Sequence, residues 1–203
     1  MKIAVLGSQG QLGKDLVPRL PGEVIALTRA EIDLDRPETL GSLRELRPDL
    51  VVNCAAYNFV DKAETARDDC FRVNAWGAGA LAVACREINA RLIHISTDYV
   101  FGLETARSEP FRETDAPGPV SLYGLSKLTG EFLVRSASPA NLVIRTCGLY
   151  GVWGSGGKGG NFVETMLRIG GQGKPLRVVN DQFCTPTFTT DLAEAIVGRR
   201  PAT

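Results

Sequence analysis

The sequence predicts an α/β fold built on a doubly wound parallel sheet, and three observations predict it. Short runs rich in Val, Ile and Leu recur at 2–6, 24–27, 50–53, 91–96, 142–145 and 176–179. Their near-continuous apolarity is what parallel strands buried on both faces show. Segments of helical character lie between them, and strands alternating with helices give a parallel sheet with right-handed crossovers. The first run also ends in a loop with Gly7, Gly10 and Gly13 spaced three apart, leading straight into a helical stretch.

Taken in order, "KIAVL" (2–6) is the first strand and Gln11 to Leu20 the first helix, joined by "GSQGQLG". Gly7 permits the tight turn, Gly10 lets backbone approach a pyrophosphate, and Gly13 lets the helix pack close to the strand. The helix N-terminus adds unpaired N–H groups and partial positive charge for the anion. This makes the sheet Rossmann-type, with Gly7, Gln9, Gly10, Gln11, Leu12 and Gly13 as candidate cofactor ligands. The second strand, "VIAL", runs into Thr28 and Arg29 where a NAD site usually carries a carboxylate. The Arg29 fork suits a 2′-phosphate, which points to NADPH. Glu31 or Asp33 as ribose acceptor keeps NADH open, and Asp33 with Leu34 completes this side of the candidate site. "DRPE" (35–38) reads as a capping box with Asp35 as N-cap.

The third strand, "LVVN", leads into "NCAAY" (53–57), and residues 69–89 read as an Ala-rich helix packed on the sheet. The fourth strand ends "HISTDYVFG" (94–102). Polar side chains at such strand ends face the ligand crevice, which makes the Thr97 hydroxyl a candidate for a substrate carbonyl. Asp98 either orients substrate or caps a loop, and His94, inside the apolar run, reads as a core histidine. On the helix after residue 121, Tyr123 and Lys127 stand four apart and share a face. An ammonium there is expected to lower the phenol's pKa toward a range useful for proton transfer. In the fifth strand, Arg145 reads as a ligand contact or an ion-pair partner. "GVWGSGGKGG" (151–160) reads as a loop or lid in which Trp153 offers a stacking surface, and Asn161 with Phe162 opens a further helix.

Bulk properties exclude other classes. With 23 basic and 23 acidic residues in balance, nothing marks a nucleic-acid or anionic-membrane partner. Five scattered cysteines without a C-x-x-C pair read as free thiols in a reducing compartment, with no metal. The N-terminal apolar run is too short for a signal peptide or membrane span, so the expected location is cytoplasmic.

Together the glycine loop, "NCAAY", "STDYVFG" and "YGLSK" resemble the extended short-chain dehydrogenase/reductase family. Over nearly the whole chain the resemblance narrows to dTDP-4-dehydrorhamnose reductases, through "NCAAYNFVDKAE" (53–64), "HISTDYVF" (94–101), "YGLSKLTGE" (123–131), "NFVETML" (161–167) and "VVNDQFCTPTFTTDLA" (178–193). That resemblance implies transfer of a hydride from NADPH to the 4-keto carbon of a nucleotide-linked deoxysugar. It implies Tyr123 as proton donor, Lys127 as its partner and ribose ligand, and Thr97 as the group that positions the keto oxygen. Ala55, Ala56 and Tyr57 would line the cofactor channel, and Asp98, Tyr99, Trp153, Asn161 and Phe162 the substrate side. Gly102 and Leu103 replace the family's aspartate-glycine after "VF". The expected organisation is a dinucleotide-binding domain over 1–150 and a small, truncated C-terminal substrate lobe with a returning helix over 151–203. Alternatives are a nucleotide-sugar epimerase or dehydratase and, outside enzymes, a non-catalytic NADP-binding regulatory subunit. A homodimer stays open.

Overall fold

The computed structural model describes residues 1–104, 107–154, 160–173, 175–180 and 182–198. Five parallel strands form one sheet: β1 (Lys2–Leu6), β2 (Glu23–Leu27), β3 (Leu50–Asn53), β4 (Arg91–Thr97) and β5 (Leu142–Thr146). Their order is β2-β1-β3-β4-β5. The chain therefore leaves β1 in one direction and returns past it to β3, which places the topological switch at the carboxyl ends of β1 and β3. Helices α1 (Gln11–Leu16), α2 (Ser42–Leu46), α3 (Val60–Ala63), α4 (Arg67–Phe71), α5 (Ala78–Glu87), α6 (Leu122–Ala137), α7 (Phe162–Gly171) and α8 (Thr189–Gly198) follow in order.

Strand alternation divides the core between the sheet's two faces. Ala4, Leu6, Val51 and Leu92 pack with Leu43 of α2, Leu81 and Ala82 of α5 and Val134 of α6. Ile3, Val5, Val52 and Ile93 pack on the other face with Leu12 and Leu16 of α1 and Ala193 and Ile196 of α8. α8 thus returns from far along the chain to cover the strand that begins it.

Four local expectations change. α1 ends at Leu16 and continues as a 3-10 turn over Val17–Arg19, because Pro18 has no N–H for the helical ladder. The single helix expected over 69–89 is α4, a π-helical turn (Arg72–Gly77) and α5 in succession. The Asp35 capping box does not form. Asp35 is instead held by Arg72 at 2.7 Å, and the 3-10 turn Pro37–Gly41 has no side-chain cap. The run 176–179 is not a strand: Leu176, Val178 and Val179 are exposed, and β5 pairs only with β4 among the described residues. Apolar character without a ladder partner leaves the backbone to solvent.

Candidate active site

The carboxyl ends of β1, β3 and β4, neighbours in the sheet, bring the sequence motifs to one edge. Gly7 turns the chain out of β1 with φ +72°, and a Cβ there would lie 2.8 Å from the Ala55 nitrogen, so this loop and "NCAAY" touch backbone to backbone. A Cβ on Gly13 would collide with the Gly7 carbonyl oxygen, which seats α1 directly against the turn. Gly10 caps α1 without a side-chain hydrogen bond. The first N–H groups of the helix are therefore left without side-chain caps beside a turn that only glycines can form, an arrangement that suits a dinucleotide pyrophosphate.

The flanking residues divide in use. Gln9 is exposed, whereas Leu12 is core. Gln11 is buried and spends its amide within the protein: Nε2 donates to the Leu149 carbonyl at 2.9 Å and Oε1 accepts from Asn161 at 3.1 Å. Beyond β2, the Nε groups of Arg29 and Arg36 both donate to Asp33 Oδ2, at 3.1 and 3.3 Å. Burial pushes the Asp33 carboxyl up, but the Asp35 N–H and the Arg29 guanidinium outweigh it and hold the group below its usual range. The Arg29 side chain is 76% exposed, leaving most of its fork open to solvent. Leu34 is buried in the core beside Asp33.

Tyr123 is placed by the residue after it. Ser121 caps α6 by accepting from the Gly124 N–H at 3.0 Å, and a Cβ on Gly124 would strike the Tyr99 carbonyl oxygen. The first turn of α6 therefore rests on the 3-10 turn Asp98–Val100 that ends β4. Tyr99 N–H donates to Thr97 Oγ1 at 3.2 Å, Thr97 Oγ1 donates to Asp98 at 3.3 Å, and the Tyr99 and Tyr123 rings meet edge to face at 5.6 Å. Thr97, Asp98, Tyr99 and Tyr123 form one cluster. Burial pushes the Tyr123 phenol up to about 12, with a hydrogen bond to Thr97 acting the other way.

Lys127 corrects the expectation that it lowers that phenol. Its Nζ, buried under the sheet edge, donates to the Ile95 carbonyl at 2.8 Å and lies 3.3 Å from His94 Nε2. Burial pushes it down to about 8, against the opposing charge of Glu131. The Tyr123 phenol is therefore raised rather than lowered, with desolvation as the largest cause. His94 is fully buried, as a core residue should be, yet bonded on both nitrogens.

Several contacts were not legible in the sequence. Asn74, in the π turn, accepts from Tyr57 N–H and donates to Tyr57 O, both at 2.9 Å, and reaches Ser126 Oγ at 3.0 Å. Ser126 in turn donates to the Tyr123 carbonyl at 2.7 Å. The signal for this was an amide inside an otherwise apolar helix, which must find partners. Arg145 is an ion-pair partner: its Nη2 meets Glu131 Oε2 at 2.7 Å, beside a 2.5 Å bond from Ser96 to the same carboxylate. Ala55 is half-buried and Ala56 exposed beside the glycine turn. The Tyr57 hydroxyl is buried with no partner among the described residues.

The substrate-side residues separate from the cluster. Trp153 donates to Asp15 at 3.1 Å and lies under Lys14, 5.0 Å from ring centroid to ammonium, so it braces α1. Asn161 is the N-cap of α7 in a capping box with Glu164, and its Nδ2 also donates to the Gly151 carbonyl at 2.9 Å. Phe162 is exposed. Of the proposed lid, residues 155–159 lie outside the described residues.

Residues 1–199 match the family model described as the RmlD substrate binding domain. The chain belongs to this family. Similar relatives are the spore coat polysaccharide biosynthesis protein SpsK of Bacillus subtilis, 42% identical over 97% of this chain and 68% of that one, and the dTDP-4-dehydrorhamnose reductase of Burkholderia thailandensis, 41% identical over 96% and 64%. Among solved structures, the dTDP-4-dehydrorhamnose reductase from Bacillus anthracis in complex with NADP has a TM-score of 0.88 at 36% identity, covering 96% of this chain and 69% of that one. An RfbD orthologue from Clostridium acetobutylicum has a TM-score of 0.89 at 39% identity, covering 98% and 69%. The chain thus spans about two thirds of the length of its RmlD-family relatives, with a Rossmann-type fold in common.

Proposed function

We propose that this RmlD-family chain serves an NADPH-dependent reduction of the 4-keto group of a nucleotide-linked deoxysugar, in dTDP-rhamnose biosynthesis. The observation that carries the reading is the Thr97–Tyr123 pair, set at the end of β4 on the same sheet edge as the glycine turn. Bound NADPH supplies the hydride. Tyr123, its pKa raised to about 12, is fully protonated at neutral pH and so in the form that donates a proton to the carbonyl oxygen. Thr97 presents a hydroxyl to the same oxygen as charge develops there. Gly7, Gly10 and Gly13 give the pyrophosphate its backbone cradle, Arg29 offers an open fork to a 2′-phosphate, and Ala55, Ala56 and Tyr57 line the channel between them.

On this reading residues 1–150 are the dinucleotide-binding domain and 151–203 belong to the substrate side, with Asp98 and Tyr99 nearest the sugar. Among the described residues no helix is long and apolar enough to cross a membrane. A cytoplasmic enzyme is the setting that the free thiols suit, and its assembly as a homodimer stays open. The test is a panel of 4-keto sugar nucleotides offered with NADPH while nicotinamide absorbance is followed. Steady oxidation with one member supports the reading. NADPH binding without turnover on any of them sinks it, and NAD retained through purification redirects it to an epimerase.

A further inference from the structure

Between the 3-10 turn that ends β4 and the cap of α6, the chain makes an excursion closed at its base. Gly118 N–H donates to the Val100 carbonyl at 2.8 Å, Leu103 N–H donates to the Gly118 carbonyl at 3.1 Å, and Gly102 bridges Pro119 in antiparallel fashion. Four side chains from this region and β5 meet in series. The Phe101 and Phe111 rings stack with centroids 4.2 Å apart and planes 10° from parallel. The Arg107 guanidinium lies over Phe111 at 4.3 Å, and that of Arg145 over Phe101 at 5.0 Å. Each arginine is anchored by its own acceptors. Arg145 grips Glu131 of α6 with Nη2 at 2.7 Å and Nε at 3.0 Å. Arg107 donates to Glu104 at 3.0 Å, to Asp115 at 2.6 Å and to the carbonyls of Glu109 and Pro110 at 2.9 and 3.1 Å. The two rings therefore fill the space between two fixed cations.

We propose that the Phe101–Phe111 stack, clamped between Arg107 and Arg145, sets the geometry of the Thr97–Tyr123 pair, with Phe111 as a positioning residue. Phe111 acts through Phe101, and Phe101 acts through the turn. Phe101 N–H donates to the Asp98 carbonyl at 2.9 Å and closes that turn, and the Tyr99 carbonyl within it is the seat of Gly124, the residue after Tyr123. At the other end of the series, Arg145 stands in register with Ser96, and Thr146 beside it with Thr97. The stack thus joins the turn to β5 and α6 by side chains, where the backbone alone would leave a hinge at Phe101. The arrangement of the rings does not depend on which reaction the site performs; its consequence for turnover rests on the reductase reading.

Phe111→Leu keeps an apolar side chain but loses the flat ring, and Phe111→Tyr keeps the ring. With rates counted per NADPH-binding site, so that loss of folded protein drops out, Phe111→Leu is expected to lower kcat by about ten- to a hundredfold with KM nearly unchanged. Phe111→Tyr restores it. A second readout needs no substrate. The chain has four tyrosines, and in ring-labelled protein the carbon-13 signals of Tyr99 and Tyr123 are identified by their Phe variants. Their edge-to-face contact makes those signals sensitive to the turn, so both move in Phe111→Leu and return in Phe111→Tyr, while Tyr57 and Tyr150 stay. Unmoved Tyr99 and Tyr123 signals in Phe111→Leu overturn the proposal, as does an unchanged kcat per site. If the unsubstituted chain turns over no 4-keto sugar nucleotide, the reductase reading fails and the tyrosine signals alone decide. If Phe111→Leu does not fold, Arg107→Lys, which keeps the charge and loses the planar fork, carries the same expectations.

Discussion

Gly13 and Tyr123 show what single positions carry. At Gly13→Ala the new methyl must displace the Gly7 carbonyl, because the helix already rests on that turn. NADPH binding is expected to weaken more than about tenfold, with a stability loss of about 1–3 kcal/mol, checked by fluorescence titration and urea unfolding. Tyr123→Phe keeps the ring packed edge-on to Tyr99 but removes the proton, so turnover is expected to fall by about 10²–10⁴-fold with NADPH affinity unchanged. Wild-type rates in that variant would remove Tyr123 from the chemistry. Both positions were readable in the sequence because their reason is local: a spacing of glycines, a Tyr and Lys one helical turn apart. The partners of Lys127 were not. His94 sits in an apolar strand like any core residue, and only β3–β4 register, which places Asn53 beside it, shows what its nitrogens meet.

Among elements, α6 has the most to hold in place. Its Gly124 and Ser121 seat the first turn, while Glu131 in its third turn ties it to β5 through Arg145 and to β4 through Ser96. Glu131→Ala leaves a guanidinium and a hydroxyl without that carboxylate, and a loss of about 3–5 kcal/mol is expected from denaturant midpoints. Glu131→Gln, which keeps two of the hydrogen bonds, should lose less; equal losses would show that packing, rather than the ion pair, is at stake. The α6 pattern was legible from "YGLSKLTGE", as were five strands from their apolar runs. The sixth run failed because apolarity reports burial, and here the residues are exposed with no ladder to join. The capping box at Asp35 failed because Arg72, distant in sequence, competes for the same carboxylate.

For the molecule as a whole, the buried titrating groups set a stability optimum on the alkaline side. Lys127 falls from 10.5 unfolded to about 8 folded, so between those values the unfolded chain binds the extra proton and stability rises with pH. The thiols of Cys54 and Cys85 move the other way, from 9 up to about 12, so their contribution is intact below 9 and is lost above it. From these groups the stability should climb between about pH 8 and 9, by at most about 1.4 kcal/mol per unit, and decline beyond. Urea midpoints across that range measure it, and Lys127→Met should erase the climb. Global organisation was the most legible scale, since alternating strands and helices admit few topologies, whereas the long-range polar contacts carry no periodic signature. Among those, Gln11 and Asp15 on α1 bind Leu149, Trp153, Asn161 and Thr189, residues 138 to 174 positions away. The helix that follows the glycine loop is therefore one end of a lever whose other end is Leu149, Trp153, Asn161 and Thr189, and linkage makes the lever reciprocal: on the proposed reading, ligation at the cradle should slow hydrogen exchange at those residues, and loosening their contacts should be felt as a faster cofactor off-rate.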